Sequence, residues 1–129
     1  MTDRAFPVVF AGSVRATTEF YERLGFIRQF QLPTDDDDPS YVGLRRGTAE
    51  LAIVDAAWPA DQYARPVGTG PRFEMFVYVK DIDRTIDQFG DTINVLRPPA
   101  TMPWGERVAY VTDPDGNPVA LATPPAQPS

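Results

Sequence analysis

Val9-Phe10-Ala11-Gly12-Ser13 is followed, 68 residues later, by Val77-Tyr78-Val79-Lys80-Asp81. In both stretches β-branched and aromatic residues run into a side chain that caps a helix well. The same offset pairs Thr17 with Thr85, Tyr21 with Phe89, Leu51 with Val119 and Ile53 with Leu121. One offset thus serves the start and the end of each copy, so insertions between them are few or balanced. The chain reads as one unit written twice.

Each copy resolves into the same elements. In the first, a strand over Phe6 to Ala11 leads to a helix capped by Ser13, with Val14, Thr17, Phe20, Tyr21 and Leu24 at helical spacing and Gly25 as its stop. Strands follow over Phe26 to Leu32, Tyr41 to Arg45 and Leu51 to Val54, separated by the acidic loop Asp35-Asp36-Asp37-Asp38-Pro39 and a turn at Gly47. In the second, a strand over Phe73 to Val79 precedes a helix capped by Asp81, with Ile82, Ile86 and Phe89 on one face. A strand over Ile93 to Leu96, a Pro-rich loop through Trp104, a strand over Arg107 to Thr112, the turn Asp113-Pro114-Asp115-Gly116-Asn117 and a strand over Val119 to Thr123 complete it. The fold class is therefore α+β, with tandem βαβββ modules over residues 1–55 and 72–123. Residues 56–71, with Pro59, Pro66, Gly68, Gly70 and Pro71, form a connector whose Trp58 and Tyr63 are expected to pack against something, and residues 124–129 are expected to fray.

Composition narrows the function. A chain of 129 residues with 43% hydrophobic content suits one structural domain, able to bury roughly 65–70% of its unfolded surface. Twelve basic against eighteen acidic residues give a net charge of -6, which removes the phosphate-neutralising attraction on which nucleic-acid binding depends. Small molecules, cationic or neutral, are the expected partners. No cysteine and no histidine occur, so thiol nucleophiles, thiolate metal sites and the usual neutral-pH acid–base group are all absent. No stretch approaches the roughly 20 apolar residues of a membrane span. Pro7 breaks the only short apolar run that resembles a signal-peptide core, and a cytoplasmic location is expected.

Strand alternation picks out the candidate site. On the strand Phe73 to Val79 the odd positions are all apolar, as a face under a helix should be, whereas Arg72, Glu74, Phe76 and Tyr78 mix charge with aromatic rings. Phe6, Val8 and Phe10 take the matching side in the first module, and the closing strands contribute Glu50, Ala52 and Val54 or Pro118, Ala120 and Ala122. The alanines leave room and the aromatics supply walls. A plain core or a dimer interface is the simpler use of such stripes. Glu74, set between apolar neighbours, must reach solvent, pair with Arg72 or Arg107, or face a wet or ligand-filled cavity.

Glu19-Phe20-Tyr21-Glu22-Arg23-Leu24-Gly25-Phe26, together with Asp113-Pro114-Asp115-Gly116-Asn117, resembles the vicinal oxygen chelate superfamily of glyoxalases, extradiol dioxygenases, fosfomycin-resistance enzymes and bleomycin-resistance proteins. The resemblance covers nearly the whole chain. It implies half-sheets that curve as a mixed sheet around a cleft, commonly in a homodimer. Its enzymes hold a divalent metal through four side chains on the first and last strands of the modules, and the positions that match here are Phe6, Ala52, Glu74 and Ala120. Three of these offer no lone pair, and one Glu cannot hold the ion against water. No metal and no other cofactor are expected.

The metal-free bleomycin-resistance branch, which sequesters its drug, is the branch implied. Phe6-Pro7-Val8-Val9 resembles its proline-bearing first strand, and Met102-Pro103-Trp104-Gly105-Glu106-Arg107 resembles its PWG loop. The expected function is metal-independent sequestration of an aromatic, cationic or peptide-type antibiotic, giving resistance or self-protection without catalytic residues. The expected ligand-binding residues are Phe6, Phe10, Trp58, Glu74, Phe76, Tyr78, Trp104 and Tyr110. Two other readings stay open: an isomerase or lyase using Glu74 as base, with Tyr78 or Tyr110 as the nearby acid–base group, and a dimerising scaffold whose cleft is filled by its own Trp58 connector.

Overall fold

The computed structural model describes residues 4–35 and 37–125. Asp36 and the last four positions of the expected frayed tail lie outside them. The chain divides into two compact units between Thr69 and Gly70, so residues 56–69 of the connector fall in the first.

In the first unit, Ser13 stands in extended conformation and its side chain accepts from the Ala16 amide, starting α1 (Val14–Arg23). The helix ends where Gly25 adopts φ +95, a conformation that glycine enters without strain. The backbone then turns back, with the Phe26 amide donating to the Tyr21 carbonyl at 3.2 Å. Tyr21 is wholly buried and meets both Phe20 and Phe26 edge to face, at 5.1 and 5.8 Å. That contact is the physical content of the FY-x-x-LGF motif: it locks the end of the helix onto the strand that follows. The strands are β1 (Val8–Ala11), β2 (Ile27–Leu32), β3 (Tyr41–Arg46) and β4 (Ala49–Asp55), in the sheet order β1-β4-β3-β2.

The connector holds a short helix that the sequence pattern does not predict, α2 (Trp58–Tyr63). Pro59 reads as a breaker, but it lies in the first helical turn, where no amide hydrogen is needed. The Asp55 carboxylate accepts from the Ala57 amide just ahead of it, at 2.8 Å.

The second unit repeats the plan with β5 (Met75–Tyr78), α3 (Ile82–Phe89) capped by Asp81, a 3-10 turn at Gly90–Thr92, β6 (Asn94–Thr101), β7 (Arg107–Thr112) and β8 (Pro118–Thr123). Its sheet order is β5-β8-β7-β6. In both sheets the first and last strands pair in parallel, Val9 with Ile53 and Val77 with Leu121, and these two pairs are themselves 68 residues apart. The repeat seen in the sequence is thus a repeat of strand register.

Two differences from the sequence reading have physical causes. The strand expected to end at Leu96 continues through Pro98 and Pro99 to Thr101. As β6 it is an edge strand, and the prolines fall in an irregularity where pairing passes from Arg97–Tyr110 to Ala100–Val108. A missing ladder donor is tolerated there. The strands expected from Phe6 and Phe73 begin two residues later, at Val8 and Met75. Before β5 the chain is held by the turn instead, since the Arg72 amide donates to the Asn117 Oδ1 at 3.0 Å.

That turn explains Asp113-Pro114-Asp115-Gly116-Asn117. The Asp113 carboxylate accepts from the amides of Asp115 and Asn117, both at 2.9 Å, and from the Asn117 side chain at 3.0 Å. Asp113 and Asn117 are buried, and their polar atoms are satisfied by each other and by the loop. Gly116, at φ +84, supplies the left-handed residue that closes the turn.

Candidate functional site

Each sheet has one face under its helix and one face turned away from it. In the second unit Val77 and Leu121 are buried on the helix side with Ile82 and Phe89. Phe76 and Tyr78 alternate with Val77 and stand opposite Ala120 and Ala122 on the other face. Their rings lie 5.5 Å apart at 57° and remain largely exposed. The alanines do not simply leave space. Met102 packs with Val108, Ala120 and Ala122 in a small buried cluster, and Tyr110 lies half-buried against it.

The β6–β7 turn brings Trp104 to this assembly. Gly105, at φ +98, tightens the turn, which closes with the Met102 amide donating to the Glu106 carbonyl at 2.8 Å. The Trp104 indole, 54% exposed, donates from Nε1 to one Glu106 carboxylate oxygen at 2.6 Å. The Tyr78 hydroxyl, on a residue 47% exposed, donates to the other oxygen, also at 2.6 Å. That hydrogen bond raises the Tyr78 pKa above the ordinary phenol value, with burial and the Glu106 charge adding to it. Glu106 was missed in the sequence, where only its position two residues after Trp104 could have flagged it.

Glu74 precedes β5 and is exposed. Neither expected arginine meets it: Arg72 donates to the Asp115 carbonyl at 3.4 Å, and Arg107 pairs with Asp83 at 3.5 Å. Of the three options the sequence allowed, Glu74 takes the one that reaches solvent.

In the first unit, Phe6 lies under the Arg4 guanidinium, 5.0 Å from ring centroid to Cζ. Arg4 in turn grips Glu50 in a bidentate pair, with contacts of 2.7 to 3.0 Å. This bond holds the Glu50 carboxyl below its usual range and raises Arg4. Glu50 is therefore not an uncommitted anion. Phe30 and Tyr41, which sequence reasoning passed over, face each other at 5.3 Å, and the Phe30 ring covers Gly43 so closely that a Cβ there would stand 3.2 Å from it. A crevice of about 30 Å³ remains among Phe6, Phe30, Tyr41 and Ala52. Phe10 is half-buried on β1 opposite Val54. Trp58 begins α2 and is exposed. On the helix side of the first sheet a polar cavity of about 390 Å³ is lined by Arg15, Thr18, Glu19, Arg28 and Gln31, and its arginines are already paired with Glu19 and Glu22.

The positions that the sequence resemblance matches to metal ligands are Phe6, Ala52, Glu74 and Ala120, three of which carry no donor atom. Among the described residues no group of three or more His, Cys, Asp or Glu is placed to hold an ion. The donor set does not fit a divalent metal. Among the described residues no helix is long and apolar enough to cross a membrane.

Comparison with known proteins supports this architecture. The hypothetical protein SA1046 from S. aureus superposes with a TM-score of 0.79 at 16% identity, over 96% of this chain and 95% of that one. TioX from Micromonospora sp. ML1 gives 0.67 at 16% identity, over 98% and 100%. A lactoylglutathione lyase from Agrobacterium tumefaciens gives 0.67 at 20%, over 94% and 93%. At such identities the likeness shows the fold alone. No curated protein matches the chain. A sequence model of one family matches residues 5–121, and the chain belongs to that family, the Glyoxalase/Bleomycin resistance protein/Dioxygenase superfamily.

Proposed function

We propose that this chain is a metal-independent binding protein that sequesters an aromatic antibiotic of cationic or peptide type, giving resistance or self-protection, and that it acts as a cytoplasmic homodimer. The observation that carries the reading is the exposed wall of Phe76, Tyr78 and Trp104; the resemblance adds that three of the four positions matched to metal ligands carry no donor atom. A binder of this kind gains affinity from stacking and apolar burial. The net charge of -6 and the exposed Glu74 add long-range attraction for a cation. Exposed Val8, Ile27, Phe30 and Leu32 in the first unit support burial against a second copy.

No observation favours an enzyme. Glu74 as a base would need an acid–base companion, and the hydroxyl of Tyr78 is committed to Glu106.

Isothermal titration against a panel of bleomycin-type and aromatic peptide antibiotics tests the proposal. Binding should persist with a chelator present and weaken about five- to tenfold in Trp104→Ala, the loss of one stacking partner worth on the order of 1 kcal/mol. Absence of binding across the panel, or binding abolished by the chelator, overturns it.

A further inference from the structure

We propose that Glu106 is a positioning residue for the aromatic wall, its carboxylate fixing Trp104 and Tyr78 in place before a flat ring system binds. The inference rests on reading this face as a ligand site. One carboxylate is approached from two elements: the indole of Trp104 reaches it from the β6–β7 turn and the phenol of Tyr78 reaches it from β5, each taking one oxygen at 2.6 Å. The separation and tilt of the two rings are thereby set by a single side chain. That side chain is well anchored, because its own backbone closes the turn through the Met102 amide and Gly105 donates to the Met102 carbonyl at 2.9 Å. Without it, Trp104 is a half-exposed ring on a turn, free to sample rotamers that stack nothing. Holding the rings before the ligand arrives lowers the ordering cost of binding.

The same bonds bear on ligand class. The indole and the phenol are neutral donors taking one site on each oxygen, so Glu106 keeps its negative charge and further acceptor sites. In the first unit Glu50 is neutralised instead by the cation Arg4. A flat cation thus meets ring faces and a neighbouring carboxylate, whereas a flat neutral ring meets the ring faces alone.

Two variants separate geometry from charge. In Glu106→Gln the amide oxygen still accepts from the indole and the amide nitrogen donates to the phenol oxygen, so both links survive without the charge. In Glu106→Ala both links are lost. The probes are acridine, neutral at pH 8, and its flat cationic analogue 9-aminoacridine. Glu106→Ala should weaken both by about tenfold, whereas Glu106→Gln should change acridine by less than about threefold. The near-ultraviolet circular dichroism band that disappears in Trp104→Phe should also be lost in Glu106→Ala and kept in Glu106→Gln, whereas the Tyr78 titration should move down in both variants, since each removes the carboxylate that raises it. The proposal is overturned if Glu106→Gln weakens acridine as strongly as Glu106→Ala does, or if Glu106→Ala leaves the Trp104 band in place. Should neither probe bind the parent protein, the sequestration reading loses its support for flat rings, and the Trp104 band still decides whether Glu106 positions the wall.

Discussion

The two modules share topology, register and helix caps, yet their faces away from the helices are built from different chemistry. In the first, a bidentate ion pair between Arg4 and Glu50 covers Phe6, and the Phe30 ring occupies the space over Gly43. In the second, Met102 covers the alanines while Trp104 and Tyr78 stand exposed on a shared carboxylate. The connection between the second and third strands of each module makes the difference. In the first it is the acidic stretch 33–40, and in the second it is the tight turn 102–106 that carries a tryptophan. Helix-side faces must bury the same apolar surface in both copies and so stay alike. The opposite faces carry no such demand, and there a duplicated unit is free to specialise.

The largest expected effects test the shared half of that comparison. Ile53→Ala and Leu121→Ala remove equivalent, fully buried side chains and should each cost about 2–5 kcal/mol, read from urea unfolding. A loss confined to one module would break the equivalence. Smaller and specific to the second module, Asn117→Ala should cost about 1–3 kcal/mol, because it leaves Asp113 and the Arg72 amide short of a buried partner. The first module turns at the equivalent place through Gly47 and Thr48 alone. The smallest effect concerns Arg4 and Glu50. Glu50 is held below the usual carboxylate range in the folded protein, so the pair's contribution is present above that range and is lost as pH falls through the lowered value. In Glu50→Gln this acid-side decline should be absent from a pH series of thermal midpoints. An unchanged decline would show that the exposed pair contributes nothing measurable.

Much of this was legible in advance at particular residues. Ser13 and Asp81 cap the two helices, Gly25 stops the first, and Val77 alternates with exposed Phe76 and Tyr78. Each of these depends on neighbours within a few positions. Less legible were α2, where Pro59 breaks a helix or begins one depending on position, and β6, where an edge location excuses two prolines. At the candidate site Trp104 and Tyr78 were visible as types, but the carboxylate that joins them was not. Tyr78 and Glu106 are 28 residues apart, and a charged residue in a turn is ordinarily read as solvated.

The amino-acid order alone determined that a βαβββ unit occurs twice, which side of each strand is apolar, and that three of the four positions matched by resemblance to metal ligands cannot donate. These follow from periodicity, caps and side-chain chemistry, which are local. Folding in three dimensions decided which groups are already spoken for: Glu50 by Arg4, Glu106 by two rings, the space over Ala120 and Ala122 by Met102. Whether a polar or aromatic side chain is available to a ligand depends on partners that sequence distance hides, because hydrogen bonds and packing act over a few ångströms of space wherever the chain brings them together.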